Sequence, residues 1–369
     1  MSHPYRQQGN EAFWSRGVAA HDPRDINPAL PAPFTLSPRD KIVTAGSCFA
    51  QNISPRLPGM GLHFLVTEPA HPIFPAALAA RFGYGLFSAR YGNLYTARQL
   101  LQLCDRVYGM FQPREDVWSG QDGAWIDPFR PRIQPRGFLT AQEYEADRDR
   151  HFAAVREAFE TMDVFIFTLG LTECWRARAD GAVFPLCPGV AGGVYDPARH
   201  EFHNFTVDEV MADLLRFIDA IRRRNPACRF IFTVSPVPLV ATARRDAHVM
   251  VASDYSKAVL RVAAQMAVAQ REDSAYFPAY EIITSAATPH YFAADQRSVT
   301  PAGVDHVMRC FAASFTGHSA PRESFQAHDA TMDRLARMEE AMRVDCDELA
   351  LDPDYPHHTP LPSGRDAPI

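Results

Sequence analysis

The chain has 369 residues, of which 47% are hydrophobic, and a formal net charge of −6. These values are typical of a globular protein that buries a substantial core. Its 37 basic and 43 acidic residues are mixed along the sequence, so neither a basic stripe for nucleic acid nor a polybasic membrane anchor is visible. Seven cysteines occur singly, without a C-x-x-C pair, which argues against a disulfide framework and a zinc site. We therefore predict no nucleic-acid partner, no metal and no cofactor.

The amino terminus lacks the basic start and the apolar core of a signal peptide. No run of the sequence approaches the roughly 18 apolar residues that a membrane span requires. We expect a cytoplasmic protein without a membrane span, whose cysteines are reduced thiols. The sequence does not indicate an oligomeric state.

In chain order, a proline-rich stretch over 1–37 predicts an extended arm across the surface. A domain over 38–318 follows, in which short apolar runs alternate with segments of helical periodicity. The predicted strands are 42–45, 164–169, 230–234 and a less regular run at 275–283. The predicted helices are 94–107, 141–159, 207–223, 254–269 and 301–315. Apolar strands that alternate with helices indicate a parallel sheet covered on both faces, so we predict an α/β sandwich.

Two long stretches with few periodic features interrupt the domain, at 113–137 and 177–204. We interpret both as ordered insertions, because loops of this length in a compact domain are usually lids or binding walls. A helix is predicted over 319–348. The remaining residues, 349–369, are too rich in Pro, His and Gly to pack, so we expect a disordered tail.

The most informative stretch is Gly46-Ser47-Cys48-Phe49-Ala50, which closes the first predicted strand. A serine between a buried strand and a helix start has its hydroxyl beside unpaired helix N-terminal amides, where a nucleophile and half an oxyanion hole can share one turn. Serine is also a common helix N-cap, so the motif alone allows a structural role. The loops that begin near Thr168 and Val234 follow two other strands and should face the same crevice as Ser47.

Five blocks of the sequence, spread over about 42–315, resemble the GSCFA family. They are 46–50, whose letters spell the family name, 168–170, 233–237, 255–257 and 276–282. That family is similar to the SGNH or GDSL esterase superfamily. The resemblance implies a flavodoxin-like three-layer sandwich and, as activity, ester hydrolysis or acyl transfer.

Site roles follow from the resemblance residue by residue. Ser47 matches the nucleophile after the first strand, and its own amide would be one oxyanion donor. Gly92 is the best match for the glycine whose amide is the second donor, with Asn93 beside it. The third donor is usually an asparagine, but here Thr172 or a backbone amide would have to replace it. Thr172 can equally be an ordinary turn residue.

The sequence departs from the superfamily pattern where the general base should stand. SGNH enzymes place an aspartate and a histidine three residues apart before the last helix, whereas Asp295 is followed at that spacing by Ser298. Without an imidazole near Ser47, a general-base contribution of roughly 10²- to 10⁴-fold is lost. Asp295 can act in catalysis, pair with Arg297 or cap a turn.

Three histidines are candidates for the missing base. His248 ranks first, because it lies past the fourth strand where family members commonly carry a histidine. His290 ranks second, because it stands five residues before Asp295. His306 ranks third, because the helical spacing of 304–311 puts it on a face other than the buried one. A single histidine in a surface segment is, however, most often solvated.

Two further residues are candidate substrate contacts. Glu173 can orient the substrate as a charge on the crevice wall or pair with Arg176. Trp175 can stack on a sugar face, although packing in the core or in a lid explains an aromatic residue equally well.

Taken together, the sequence predicts a serine hydrolase with Ser47, His248 and Asp295 as catalytic residues, acting on a small-molecule or glycan ester such as an acyl group on a carbohydrate. The first alternative is a catalytically weak or inactive relative that binds a glycan or protein through the same crevice. The second alternative is an O-acyltransferase.

Overall fold

The computed structural model describes residues 3–317 and 346–352. Most of the helix predicted over 319–348 and of the tail predicted over 349–369 lies outside the described residues. None of the described helices is long and apolar enough to cross a membrane.

The described strands and helices alternate along the domain. The strands are β1 (Lys41–Gly46), β2 (His63–Phe64), β3 (Trp118–Ser119), β4 (Trp125–Ile126), β5 (Val164–Leu169), β6 (Glu173–Ala177), β7 (Val183–Phe184), β8 (His200–Asn204), β9 (Arg229–Val234) and β10 (Ser274–Phe277). The α-helices are α1 (Trp14–Gly17), α2 (Ala76–Arg81), α3 (Ala97–Val107), α4 (Ala141–Thr161), α5 (Val207–Arg222), α6 (Val249–Val268), α7 (Ala279–Thr284) and α8 (Pro301–Thr316).

A five-stranded parallel sheet forms the centre of the molecule, in the order β10-β9-β5-β1-β2. This order is that of flavodoxin-like sheets, and it places β1 and β5 inside the sheet. Ile42 lies opposite Val164, and Val164 lies opposite Arg229, so the three long strands are in near-level register. The predicted α/β class with a parallel, flavodoxin-like sheet is confirmed.

Helices cover both faces of this sheet, because side chains on a strand alternate between its faces. Phe165 and Phe167 of β5 pack with α3, α4, α5 and α6 on one face. Val164 and Ile166 of the same strand pack with α7, α8 and the short helical turns that follow Ser47 on the other face. The molecule therefore has three layers.

Helix starts follow the side chains that cap them. Thr96 accepts a hydrogen bond from the Gln99 amide in a capping box, so α3 begins at Ala97 rather than at the predicted position 94. Thr206 caps α5 in the same way. α6 begins at Val249, five residues before the prediction, because His248 is its N-cap.

Three predicted segments differ from the structure. The run at 275–283 divides at Pro278 into strand β10 and helix α7. The insertion at 177–204 is not a plain loop, because β6, β7 and β8 form an antiparallel sheet of their own. The insertion at 113–137 contains the short antiparallel pair of β3 and β4.

The amino-terminal arm packs along α8. The Leu36 amide donates to the Phe315 carbonyl at 2.7 Å, and the Ser314 hydroxyl donates to the Leu30 carbonyl at 2.7 Å. These bonds fix the arm against the outer helix of the second face.

A buried ion network anchors the insertion at 113–137 to α4. Its members are Glu68, Arg90, Asp127, Arg130, Asp147 and His151. The Arg130 side chain donates hydrogen bonds of 2.8 Å to Asp127 and 2.9 Å to Asp147. The side chains of Arg130 and Asp127 are almost completely buried. Arg90 bonds the other oxygen of Asp147 at 2.7 Å. Each arginine is thus matched by carboxylates inside the protein.

Candidate functional site

The carboxyl edge of the sheet brings together the ends of β1, β5 and β9. Gly46 ends β1 at a φ of +141°, and a side chain there would lie 2.4 Å from the Thr168 carbonyl oxygen of β5. Only glycine therefore allows the two strands to approach this closely just before Ser47. The predicted meeting of strand-end loops at one edge follows from this parallel arrangement.

Ser47 is 2% exposed, and its hydroxyl has no hydrogen-bond partner among the described residues. Ser47 stands at the N-cap position of the helical turn Cys48–Asn52, but its side chain makes no capping bond. Its amide, which the resemblance makes an oxyanion donor, donates to the Thr168 carbonyl at 3.0 Å. A buried hydroxyl without a partner costs about 1–3 kcal/mol.

Gly170 forms the wall behind Ser47. A β-carbon on Gly170 would lie 2.8 Å from the Ser47 β-carbon and 3.1 Å from the Tyr95 carbonyl oxygen, so the site has no room for a side chain. The Gly170 carbonyl accepts a bond of 2.7 Å from the Lys257 Nζ. Lys257 is 3% exposed, and burial lowers its pKa to about 8. A buried basic group is thus bonded to the residue that packs against Ser47.

Residues 346–352, which we call the C-terminal segment, lie at the same edge. The Cys346 Sγ is 3.0 Å from the Cys48 Sγ, although the two residues are 298 positions apart in sequence. Cys346, Asp347 and Glu348 are all less than 10% exposed. The segment therefore covers the residue that follows Ser47.

Arg297 holds the C-terminal segment. Its Nη2 donates to the Glu348 Oε2 at 2.8 Å and to the Cys346 Sγ at 3.3 Å. Its Nε donates to the Pro238 carbonyl at 3.1 Å, in the loop after β9. We call the resulting group of buried ionisable side chains the crevice cluster; its members are Cys48, Lys257, Arg297, Cys346 and Glu348.

The members of the crevice cluster shift one another's pKa values. A hydrogen bond from the Cys48 thiol, together with the charge of Arg297, lowers the pKa of Cys346 to about 6. Burial, together with the negative charge at Cys346, raises the pKa of Glu348 to about 8. The bond to Cys346 and burial raise the pKa of Cys48. The cluster thus favours one negative charge beside Arg297.

The GSCFA family model matches residues 41–311, from the first residue of β1 into α8. The chain belongs to the GSCFA family. It has no match among the curated proteins. The matched range includes Ser47, Lys257 and Arg297, whereas the C-terminal segment lies beyond it.

Two predicted oxyanion donors of the GSCFA protein line a pocket at the carboxyl edge. Gly92 and Asn93 form one side of this pocket, and Gln51 and Asp347 contribute to it as well. The Asn93 Nδ2 donates to the Asp347 Oδ2 at 3.0 Å, while its Oδ1 accepts a bond of 2.9 Å from Gln51. Ser47 itself does not line the pocket. The Asp347 carboxylate thus binds the side-chain amide of Asn93, which was predicted to hold an oxyanion.

The third predicted oxyanion residue, Thr172, is engaged in the fold. Its hydroxyl donates to the Asn204 Oδ1 at 2.6 Å, and its amide donates to the Ser256 hydroxyl at 2.9 Å. It is fully buried. Thr172 therefore ties β5 to β8 and α6.

The predicted substrate contacts lie on the small antiparallel sheet. Glu173 does not pair with Arg176; it accepts bonds from the Thr242 hydroxyl at 2.7 Å and from the Ala243 amide, and burial raises its pKa. Trp175 packs edge-on against Tyr195 at 5.2 Å between ring centroids. Tyr195 is 43% exposed, so this pair presents an aromatic surface to solvent.

None of the three candidate histidines bonds the Ser47 hydroxyl. His248 is exposed and caps α6 through its Nδ1, which accepts a bond of 3.2 Å from the Met250 amide. His290 is exposed beside the ring of Phe292. The structure does not bring either of them together with Ser47.

The position predicted for His306 is wrong, because this residue is buried. It is 2% exposed and bonds the Tyr291 hydroxyl and the Ile26 carbonyl, each at 2.8 Å. The arm over 1–37 covers this face of α8, which periodicity within the helix cannot reveal.

Asp295 shapes the turn that presents Arg297. Its Oδ1 accepts bonds from the amides of Arg297 and Ser298, and its Oδ2 accepts one from the Ser298 hydroxyl. This is the turn-capping role that the sequence left open. Arg297, which this turn presents, is a member of the crevice cluster.

Sequence reasoning missed four members of the crevice cluster. Two of them lie in segments that the sequence analysis had already selected: Lys257 ends the family block 255–257, and Arg297 stands two residues after Asp295. Cys346 and Glu348 had no signal, because nothing in their local sequence indicates that they return to the end of β1.

Proposed function

We propose that this GSCFA protein is a serine hydrolase that cleaves an ester, with Ser47 as its nucleophile. The observation that carries the proposal is the buried Ser47 hydroxyl, which has no hydrogen-bond partner among the described residues at the carboxyl end of an interior strand. Neither the fold nor a helix cap uses this hydroxyl. Three other buried hydroxyls also have no partner among the described residues, those of Thr168, Thr233 and Ser274. Ser47 differs from them because it stands after a strand at the start of a helical turn, where a hydroxyl can act as a nucleophile.

Lys257 is the base that we favour. A serine hydroxyl needs a proton acceptor, and a neutral lysine amine serves in Ser-Lys variants of the catalytic triad. With a pKa of about 8, Lys257 is uncharged in a substantial fraction of molecules under mildly alkaline conditions. His248 and His290 are exposed and serve elsewhere.

The Gly92 amide and the Asn93 side chain are the proposed oxyanion donors. In the described state the Asn93 amide holds the Asp347 carboxylate, whose oxygens carry negative charge, as does the oxyanion of the tetrahedral intermediate in ester cleavage. Substrate binding then requires Asp347 to leave.

The proposed substrate is an acyl ester of a carbohydrate. The partly exposed aromatic pair Trp175 and Tyr195 supports this class, because aromatic side chains at a surface suit the apolar face of a sugar. Glu173 lies two residues from Trp175 and supplies a polar contact. Transfer of the acyl group to an acceptor other than water uses the same first step, and product analysis with acceptor sugars distinguishes it.

A fluorophosphonate probe and an acetylated chromogenic ester test the nucleophile on the reduced protein. We expect labelling and hydrolysis in the natural chain and their loss in Ser47→Ala. Ser54→Ala is the matched control, because Ser54 is fully buried nearby but its hydroxyl bonds Thr44; it should keep both signals. Full esterase activity in Ser47→Ala would refute the assignment.

Lys257→Met tests the base. We expect hydrolysis to fall by roughly 10²- to 10⁴-fold and the rise of the rate toward pH 8 to disappear. A variant that keeps this pH profile excludes Lys257 as the proton acceptor.

A binding protein without catalysis is the second candidate. It is favoured by the coverage of the crevice by the C-terminal segment and by the 2% exposure of Ser47. This function predicts no probe labelling of the reduced protein, together with measurable binding of acylated oligosaccharides.

A further inference from the structure

Two thiols meet in the crevice from opposite ends of the chain. Cys48 follows Ser47 directly, and Cys346 opens the C-terminal segment, with 3.0 Å between their sulfur atoms. A disulfide needs sulfur atoms about 2.05 Å apart, so a movement of roughly 1 Å joins them. Both are free cysteines.

The surroundings of Cys346 favour the reactive thiolate form. The Arg297 Nη2 lies 3.3 Å from its sulfur, and the Tyr95 hydroxyl lies 3.9 Å from it. These contacts agree with the lowered pKa of this thiol, which is about 6. Thiolates rather than thiols react with oxidants, so Cys346 is the attacking sulfur.

The other described cysteines lack this environment. Burial raises the pKa of Cys104, Cys228 and Cys310 to about 12 in each case. Cys187 is more exposed than either member of the pair, but burial also raises its pKa, to about 11. Exposure therefore favours Cys187 as the cysteine that oxidants reach first, whereas thiolate character favours Cys346.

We propose that Cys48 and Cys346 form a dithiol site that hydrogen peroxide oxidises to a disulfide, which fixes the C-terminal segment over the crevice. The Cys346 thiolate attacks the peroxide O–O bond, giving a sulfenic acid and one water once the leaving hydroxide takes up a proton. The Cys48 sulfur then attacks the Cys346 sulfur. The S–S bond forms, the S–O bond breaks, and the Cys48 proton leaves with the hydroxyl as a second water. The two thiols lose two electrons, and the peroxide gains them.

The pocket beside Asn93 is the proposed entrance for peroxide. Asp347, the neighbour of Cys346, lines the pocket beside Asn93. A small uncharged oxidant in that pocket is one residue away from the thiolate.

The consequence for Ser47 rests on the proposed function, whereas the disulfide does not. With Cys346 bonded to Cys48, Asp347 stays on the Asn93 amide, and an ester oxygen cannot replace it. Oxidation therefore closes the proposed active site, and reduction restores it.

Peptide mapping of the full chain tests the disulfide. The native protein is treated with hydrogen peroxide at neutral pH, its remaining thiols are alkylated, and it is digested with trypsin without reduction. We expect a cross-linked pair of the peptides 42–56 and 344–365, which reduction separates. Oxidised Cys48 and Cys346 without the cross-link, or a cross-link that forms only in the urea-unfolded chain, would overturn the proposal.

Two cysteine variants sharpen the result. Cys346→Ser should abolish the cross-link, while Cys187→Ser should leave its yield unchanged. If reactivity follows exposure alone, Cys187 is oxidised first in the natural chain and the pair is not formed, which also overturns the proposal.

Fluorophosphonate labelling separates the two proposals. Labelling of Ser47 should fall at least tenfold on oxidation of the natural chain and return on reduction, and it should not respond to peroxide in Cys346→Ser. A cross-link without labelling in either redox state rejects the esterase and keeps the dithiol site. Labelling that is unchanged when the cross-link is complete rejects closure of the crevice.

Discussion

The buried ion network and the crevice cluster are both made of ionisable side chains with little exposure, but the pKa values in the two groups are shifted differently. In the ion network, burial alone would raise the pKa of Glu68, yet the hydrogen bond to His151 and the charge of Arg130 lower it to about 2. In the crevice cluster, burial raises the pKa of Glu348 to about 8. The network is a settled set of ion pairs, whereas the cluster lies close to several protonation states at neutral pH.

This difference indicates what each region is for. The arginine–carboxylate pairs of the network hold an insertion in place, and the pKa values of Glu68 and His151 lie well below 7. Groups with pKa values between about 6 and 8 can exchange protons during a reaction, and such groups concentrate at functional sites. The network is therefore a stability element, and the cluster is where chemistry is expected.

The largest stability effect should come from removing Arg130. Arg130→Met leaves the buried Asp127 without its arginine and Asp147 with Arg90 alone, which should lower the free energy of unfolding by about 3–5 kcal/mol. Urea denaturation measures it. Arg178→Met is the control, because Arg178 is half exposed in its pair with Glu201, and its loss should cost at most about 1 kcal/mol. Equal effects of the two variants would contradict the special role of the network.

The pH dependence of stability should come next in size. Burial and the charge of Arg130 lower the pKa of His151 from 6.5 to about 4. Between these values the unfolded chain binds a proton that the folded protein does not bind, so stability falls as the pH falls, by about 3 kcal/mol in total. Glu68 adds a further loss as the pH falls from its ordinary pKa of 4.5 toward 2.

Urea denaturation between pH 7 and pH 4 measures this slope. His151→Gln keeps an N–H donor but does not titrate, so it should flatten the curve in that window. His248→Gln, at an exposed helix cap, should leave the slope as it is. A slope that His151→Gln does not change would place the acid sensitivity elsewhere.

Removal of Arg297 should have a smaller effect on stability than removal of Arg130. Arg297→Met takes away charged hydrogen bonds worth about 1.5–3 kcal/mol, and the acids that remain, Glu348 and Cys346, can take up protons instead of staying charged. The loss of Arg297 should also raise the pKa of Cys346 and so lower the fraction of thiolate. Peroxide should then form the Cys48–Cys346 cross-link about tenfold more slowly. Denaturation and timed peptide mapping measure both. A loss as large as that of Arg130→Met would make the cluster an ion network of the same kind.

The smallest expected change concerns the wall behind Ser47. Gly170→Ala places a methyl group 2.8 Å from the Ser47 β-carbon, and such overpacking costs about 1–3 kcal/mol. Gly59→Ala is the matched control, because no atom lies within 4 Å of its added β-carbon. Denaturation should separate the two, and esterase activity should fall in Gly170→Ala alone. If Gly170→Ala has the stability and activity of the natural chain, the residues around Gly170 must move enough to accommodate the methyl group.

The sequence predicted the sheet and most of the helices, because their signals are local. Three strand predictions agree with β1, β5 and β9 to within one residue at each end, since buried parallel strands are short runs of apolar residues. The start of α6 was missed because the cap is His248, a residue that is not among the usual N-caps. The small sheet of β6, β7 and β8 was missed because its strands lie among turn residues.

The candidate site could be predicted only in part. The position of Ser47 after β1 follows from the strand pattern, whereas Gly92 and Asn93, which line the pocket, were chosen from the family resemblance. The base that we propose could not be found by searching for histidines, because the basic group bonded to Gly170, the wall behind Ser47, is a lysine. Cys346 and Glu348 reach the site by the return of a segment 298 positions from Cys48, and contacts of that range leave no trace in local patterns.

The distance in sequence between Cys48 and Cys346 also fixes when the crevice is completed. A ribosome that adds 5–20 residues per second needs roughly 15–60 s to synthesise the chain between them. During that time β1 and its motif have left the ribosome, while the segment that covers them does not yet exist. Even once β5, β9 and α6 have been made, the crevice stays uncovered until the C-terminal segment follows. A chain terminated before position 346 would have a Cys48 that lacks this partner thiol.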